Sequence, residues 1–215
     1  MRTKIILIRH GQSLGNAKRI LLGHTDLDLS ELGYKQTEAT AEALKNEKID
    51  LIYSSDLLRA MSTAMPHARM RGLKVIPDRE LRELFLGDWE ALSVEEIMEK
   101  YGEDTYKIDW GKNYGTFVMP GGEATWSAGE RFCREVEKIA SQNAGATVLI
   151  VAHAAVLRSF FAIISGLTRE TTSDNLPFPA NASYSVAYYE GGVFTPGEYS
   201  CDAHLSGVGI TKIKI

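Results

Sequence analysis

The chain has 215 residues, 44% of them hydrophobic and 24% charged, with a formal net charge of −4. That composition supplies the core of a single domain and excludes a disordered chain. An acidic balance, with a pI near 5.8, argues against nucleic acid as a partner, so an anionic ligand would have to be drawn in by local arginines.

Ile5, Ile6, Leu7 and Ile8 form a continuous apolar run, which predicts a strand buried on both faces and ended by Arg9-His10-Gly11. A guanidinium and an imidazole then stand at the carboxyl end of a central strand, where open α/β sheets bind ligands. Met1-Arg2-Thr3 leads straight into this strand, so no leader is expected and the chain is expected to be cytoplasmic. No apolar run is long enough to span a bilayer, so no membrane partner is expected. Gly11 to Leu29 is a long polar loop holding Asn16, Gly23, His24 and Asp26. Ser30 reads as the N-cap of a helix reaching about Asn46, with Leu32, Gln36, Ala39, Ala43 and Leu44 facing inward.

Leu51-Ile52-Tyr53 predicts a second strand, Ser54-Ser55-Asp56 a turn and cap, and Leu57 a helix start. Arg59 falls in the first turn of that helix. A cation is unfavourable there against the helix dipole unless it clamps an anion; the bland alternative is an exposed surface arginine. Lys74-Val75-Ile76 reads as a third strand near a sheet edge. Glu83 stands among Leu81, Leu84, Phe85 and Leu86, and a carboxyl in apolar surroundings can act as an acid near neutral pH; the alternative is a solvated Glu beside Arg82. Val94 to Tyr101 predicts a helix within an insertion at about 88–122 that caps the sheet edge. Its aromatics, Trp110, Tyr114 and Phe117, either line a pocket or simply pack. Glu123 to Gln142 predicts a long core helix containing Cys133. With Cys201 the only other cysteine, there is no CxxC pair and no metal or redox motif.

Thr147 to Ala152 repeats the opening arrangement, a doubly apolar strand ending in His153. Two buried strands that each deliver a histidine to the sheet edge are hard to explain as packing. Ala154 to Ser165 follows as a deeply buried helix whose N-terminus favours an anion. Tyr184 to Tyr189 and Val193 onward predict a hairpin about Gly191-Gly192, and Ile210 to Ile215 a last strand. The alternation of strands and helices predicts βαβ units and a mostly parallel sheet.

Arg9, His10, Asn16, Arg59 and His153, with Glu83 nearby, suit a phosphoryl group. Arginine matches phosphate oxygens in bidentate fashion, and fixed cations stabilise the charge of the transition state. The chain lacks a Walker loop and an HExxH site, and neither a metal nor another cofactor is expected. His10 is the preferred nucleophile, because Arg9 and Arg59 would keep its ring neutral and a backbone carbonyl could fix the tautomer. Glu83 would protonate the leaving oxygen and then deprotonate water, while His153 would bind phosphoryl oxygens. His24, His67 and His204 are assigned surface or packing roles.

These residues carry a resemblance. Arg9-His10-Gly11 with Ser13 and Asn16, Gly23 with Asp26, Arg59, Leu81-Arg82-Glu83 followed by Gly87-Asp88-Trp89-Glu90, Pro120-Gly121-Gly122-Glu123, and Val151-Ala152-His153 resemble the histidine phosphatase (phosphoglycerate mutase-like) superfamily, in order and over nearly the whole chain. The resemblance implies a three-layer α/β/α sandwich with a mostly parallel central sheet, read here as one domain over 1–215. It implies a phosphohistidine on His10, phosphate held by Arg9, Arg59 and His153, and Glu83 as proton donor. Asn16, Leu22 and Gly23 would complete the binding loop, with Ala154 beside the phosphate.

Departures choose the branch. Leu84-Phe85-Leu86-Gly87 replaces the polar run with which the mutases grip phosphoglycerate, no paired-arginine segment lies between Asp88 and Pro120, and Ala154-Ala155 replaces Gly-Asn. The LGDWE stretch and the GERFC stretch at Gly129 to Cys133 resemble the broad-specificity phosphatase branch, although Ala154-Ala155 also departs from its Gly-Gly. The expected activity is metal-independent hydrolysis of small phosphomonoesters. Mutase-type phosphoryl transfer and a catalytically silent phospho-ligand module are the rival readings. The expected partner is a small phosphorylated substrate, with a homodimer left open.

Overall fold

The computed structural model describes residues 1–212, apart from the side chains of residues 108, 109, 111 and 173. In chain order the strands are β1 (Thr3–Arg9), β2 (Leu51–Ser55), β3 (Val75–Asp78), β4 (Thr147–Ala152), β5 (Tyr184–Glu190) and β6 (Val193–Pro196). The α-helices are α1 (Leu14–Ala17), α2 (Glu31–Ala43), α3 (Leu58–Arg71), α4 (Val94–Tyr101), α5 (Thr125–Gln142), α6 (Ala154–Ile164) and α7 (Thr172–Asn175). The sheet order is β3-β2-β4-β1-β5-β6. Strands β3, β2, β4 and β1 run parallel, and β5 and β6 add an antiparallel edge.

The doubly apolar strands lie at the centre because both of their faces are covered. Ile5 and Leu7 of β1, with Val148 and Ile150 of β4, join one core with Phe132, Val136 and Ile139 of α5 and Val156 and Phe160 of α6. The alternate residues Ile6, Ile8, Leu149 and Val151 join a second core with Ala60, Ala64 and Ala68 of α3. This period-two sorting makes the three layers of the sandwich. Helices α5 and α6 approach closely at Gly129, where an added Cβ would lie 2.3 Å from the Ser159 Cβ.

Four local expectations are corrected. Ser54 and Ser55 extend β2, and helix α3 begins without a side-chain cap at Leu57; the Asp26 carboxylate accepts from Leu58 N instead, at 2.8 Å. Ala43 is exposed, and the inward face of α2 is Gly33, Gln36, Thr37, Thr40 and Ala41. That face is polar because it ties down loops: Gln36 accepts from Gln12 N at 2.9 Å and donates to Gly209 O at 2.8 Å, and Thr40 donates to Ala182 O at 2.8 Å. A pattern search for apolar residues misses such a stripe. Ile210 to Lys212 form no strand, and the remainder of the predicted last strand lies outside the described residues. Among the described residues no helix is long and apolar enough to cross a membrane.

The segment between β3 and α5 packs over the carboxyl ends of the parallel strands. It contains α4, capped by Ser93 and Glu96 in a reciprocal box, and a π-helical stretch at Thr105–Lys112. Trp89 is completely buried at its centre, against Tyr101, Tyr106, Trp110 and Phe117. Gly87 adopts φ +54°, and a Cβ there would meet Pro120 O at 2.3 Å, so Gly87 and Pro120-Gly121-Gly122 pack backbone to backbone.

Candidate active site

Parallel neighbours β1 and β4 end in register, Arg9 beside Ala152, so His10 and His153 emerge side by side. Their ring centroids are 5.1 Å apart at an interplanar angle of 60°. His10 Nδ1 donates to Gly11 O at 2.7 Å; a carbonyl can only accept, so the proton sits on Nδ1 and Nε2 keeps its lone pair. Burial first, then the Arg59 and Arg9 charges, hold His10 well below the ordinary imidazole range. The sequence reading credited the arginines alone; burial is the larger cause. The loop behind His10 is braced by Gly11 N donating to Thr63 Oγ1 at 3.1 Å.

Arg9 and Arg59 are 2% and 1% exposed, so neither is a surface residue. Arg9 Nη1 donates to Pro179 O at 2.6 Å, and the Arg59 guanidinium to Gly23 O at 2.7 Å and Thr25 O at 2.9 Å. Burial lowers both to about 10, which leaves both charged at neutral pH. Among the described residues neither takes part in a salt bridge, so carbonyls orient these cations without cancelling their charge.

His153 is the N-cap of α6 and is completely buried. Neither of its ring nitrogens has a hydrogen-bond partner in the protein. Burial, followed by the nearby Arg59, holds it well below the ordinary range.

Glu83 departs from its expected surroundings. Its carboxylate accepts from Leu84 N at 2.9 Å, Ala155 N at 3.1 Å and Val156 N at 3.3 Å. The acceptor at the start of α6 is therefore the protein's own glutamate side chain, brought there by the chain leaving β3. The apolar neighbours in sequence alternate away from it, with Leu81 and Leu84 entering the core.

Arg9, His10, Arg59 and Glu83 face a cavity of about 550 Å³; His153 is not among its lining residues and meets the site through its ring contact with His10. Arg9, His10, Arg59 and Glu83 line its inner end together with Asn16, Gly23 and Ala154. Leu22, Leu84, Leu86, Tyr106, Trp110 and Phe178 supply an apolar wall. Tyr114 is buried, with its hydroxyl donating to Ala155 O at 3.0 Å, and does not line the cavity.

The contributors that escaped the sequence reading include Tyr106, Phe178 and Asn181. Asn181 Nδ2 donates to His10 O and to Asn16 Oδ1, both at 3.1 Å, and so ties the two loops together. For Phe178 and Asn181 the only local signal was the pair of prolines at 177 and 179, which marks a rigid loop without showing where it lands.

Of the histidines given no role, His67 is fully buried, His204 packs on Tyr184, and His24 stacks on Phe85 with Nε2 donating to Glu83 O at 2.8 Å. Among the described residues no cluster of three His, Cys, Asp or Glu is placed to hold a metal ion.

Comparison with known proteins adds the family: residues 5–202 match the histidine phosphatase superfamily, branch 1. The chain belongs to that superfamily. This phosphatase is 35% identical to phosphoserine phosphatase 1 of Hydrogenobacter thermophilus over 188 residues, 87% of either chain. It is 34% identical to a 2,3-bisphosphoglycerate-dependent phosphoglycerate mutase of Allorhizobium ampelinum, over 87% of this chain and 94% of the mutase. Among solved structures, a mycobacterial glucosyl-3-phosphoglycerate phosphatase complexed with VO3 superposes with a TM-score of 0.84 at 28% identity, covering 92% of this chain and 98% of the other. The α/β/α sandwich is thus the family's fold, and the chain is a phosphoric monoester hydrolase.

Proposed function

We propose that this phosphatase hydrolyses small phosphomonoesters with an uncharged, apolar leaving group, without a metal, through a phosphohistidine on His10. Nε2 of His10 attacks phosphorus as the ester P–O bond breaks, and Glu83 gives its proton to the departing alkoxide. Water then attacks the phosphohistidine, returning its proton to Glu83 and the imidazole to its neutral state. Arg9, Arg59 and His153 stabilise the charge on the transferring group. Asn16, Leu22, Gly23 and Ala154 shape its pocket.

The observation that carries this reading is the division of the cavity: cationic at its inner end, apolar along Leu22, Leu84, Leu86, Tyr106, Trp110 and Phe178. Among the described residues the outer cations are Arg19 and Lys212, and each already has a partner. Arg19 lies 3.1 Å from Glu95, and Lys212 3.0 Å from Asp202. A substrate carboxylate, such as that of phosphoserine or phosphoglycerate, would have to draw Arg19 or Lys212 away from these partners or rest against hydrocarbon.

The test compares kcat/KM for phenethyl phosphate, phosphoserine and 3-phosphoglycerate. Burying the phenyl ring should favour the first by about tenfold or more. With 3-phosphoglycerate and 2,3-bisphosphoglycerate, phosphate should be released without isomerisation. A preference for either carboxylate substrate, or isomerisation outpacing phosphate release, would overturn the reading.

A further inference from the structure

Arg131 lies on α5, outside the catalytic cavity, and its side chain is only 18% exposed. Nη1 donates to Glu80 O at 2.7 Å and Arg82 O at 3.1 Å, and Nη2 to Glu83 O at 3.2 Å and Glu123 Oε1 at 2.9 Å. One planar cation therefore collects three carbonyls from the segment that delivers Glu83. Glu123 completes the clamp from the other side, because the same Oε1 accepts from Phe85 N at 2.9 Å. Residues 80–85 have little regular structure after the single 3-10 turn Arg79–Leu81, so no ladder of backbone bonds fixes them. The clamp does that from α5, a helix anchored in the core through Phe132 and Val136.

We infer that Arg131, with Glu123, is a positioning residue that fixes the Glu83 carboxyl for proton transfer to the leaving oxygen. The inference rests on the role proposed above for Glu83. Arg131 does not touch the carboxyl and acts through the main chain on either side of it. Proton transfer needs heavy atoms within about 3 Å, so a small loosening of the segment lowers the efficiency of the acid without removing it. Lysine cannot reproduce the clamp, because a single ammonium does not span carbonyls and a carboxylate in one plane.

The leaving group gives a readout that a purely structural role would not move. p-Nitrophenolate departs without a proton, whereas an alkoxide requires one. kcat/KM reports events up to release of the alcohol, so the later hydrolysis of phosphohistidine drops out. In Arg131→Ala and, as a milder variant, Glu123→Gln, kcat/KM for phenethyl phosphate should fall roughly tenfold or more relative to that for p-nitrophenyl phosphate. Arg131→Lys should recover part of the ratio. Glu83→Gln is the reference and should lower the same ratio by about a hundredfold or more.

If Glu83→Gln lowers the ratio while Glu123→Gln and a folded Arg131 variant lower both substrates equally, or neither, the clamp is only structural and the inference fails. If Glu83→Gln itself leaves the ratio unchanged, the proton-donor reading fails instead. Should Arg131→Ala not fold, Glu123→Gln and Arg131→Lys decide the matter on the same ratio.

Discussion

Replacing His10 with alanine is expected to lower kcat by about ten-thousand-fold or more, while inorganic phosphate still binds. The two losses separate because different groups are responsible. In the proposed mechanism Arg9 and Arg59 build the phosphate subsite, and their orientation comes from the carbonyls of Pro179, Gly23 and Thr25 and not from the imidazole. The proposed nucleophile is Nε2 alone, held in its tautomer by Gly11 O. Steady-state turnover and calorimetric phosphate binding on the same preparation check both parts. Turnover surviving in His10→Ala would assign the nucleophile to another group. The depressed basicity of His10 adds a pH signature: as pH falls through 6.5, kcat/KM should show no loss from protonation of the nucleophile, which stays neutral well below that value.

The second large effect is on stability in mild acid. His10 and His153 are held well below 6.5, and His67 is lowered to about 3, each chiefly by burial. Well above pH 6.5 all three are neutral folded or unfolded, so they add no pH dependence. Below it the unfolded chain takes up protons that the folded chain refuses, and stability falls with pH until the folded values are reached. Each such histidine contributes about 1.4 kcal/mol per pH unit, so three together give about 4 kcal/mol per unit, and half-buried His204, also lowered by burial, adds a smaller part. Carboxylates titrate lower, which leaves the interval just below pH 6 to the histidines. Urea unfolding at pH 8.5, 7.5, 6.0 and 5.0 should show constant stability above about 7 and a steep loss below 6.5. Both ring nitrogens of His67 lack partners, so His67→Leu should flatten that slope by about a third without touching the site. A flat profile down to pH 5 would show that these rings take up protons in the folded state.

The parts of this site that were legible in the sequence are those set by local pattern. Apolar runs of four to six residues, each followed by a histidine, describe β1 and β4 and place His10 and His153 at the sheet edge without reference to any contact. Arg59 was legible because a cation in a first helical turn needs a reason. The groups that hold these residues were not legible, because their bonds join distant segments. Glu83 reaches α6 across 72 residues, Arg131 reaches Glu83 across 48, and Asn181 reaches His10 across 171. Periodicity carries no information at such separations. Glu83 shows the consequence: its sequence neighbours are hydrocarbon, yet its carboxylate rests on backbone N–H groups from another part of the chain. On α2 the expected inward face includes Gln36 but misses Thr37 and Thr40 for a related reason, since Thr40, like Gln36, is buried to satisfy loops and not to exclude water.

The most direct test of the account is to trap the covalent intermediate. The enzyme would be mixed with phenethyl phosphate labelled on phosphorus, quenched in alkali within the first turnovers, digested and mapped. The account predicts label on the peptide containing His10, stable to alkali and released by mild acid as a phosphoramidate must be, and no label in His10→Ala. Label on the His153 peptide, or turnover with no labelled protein at any quench time, would contradict it.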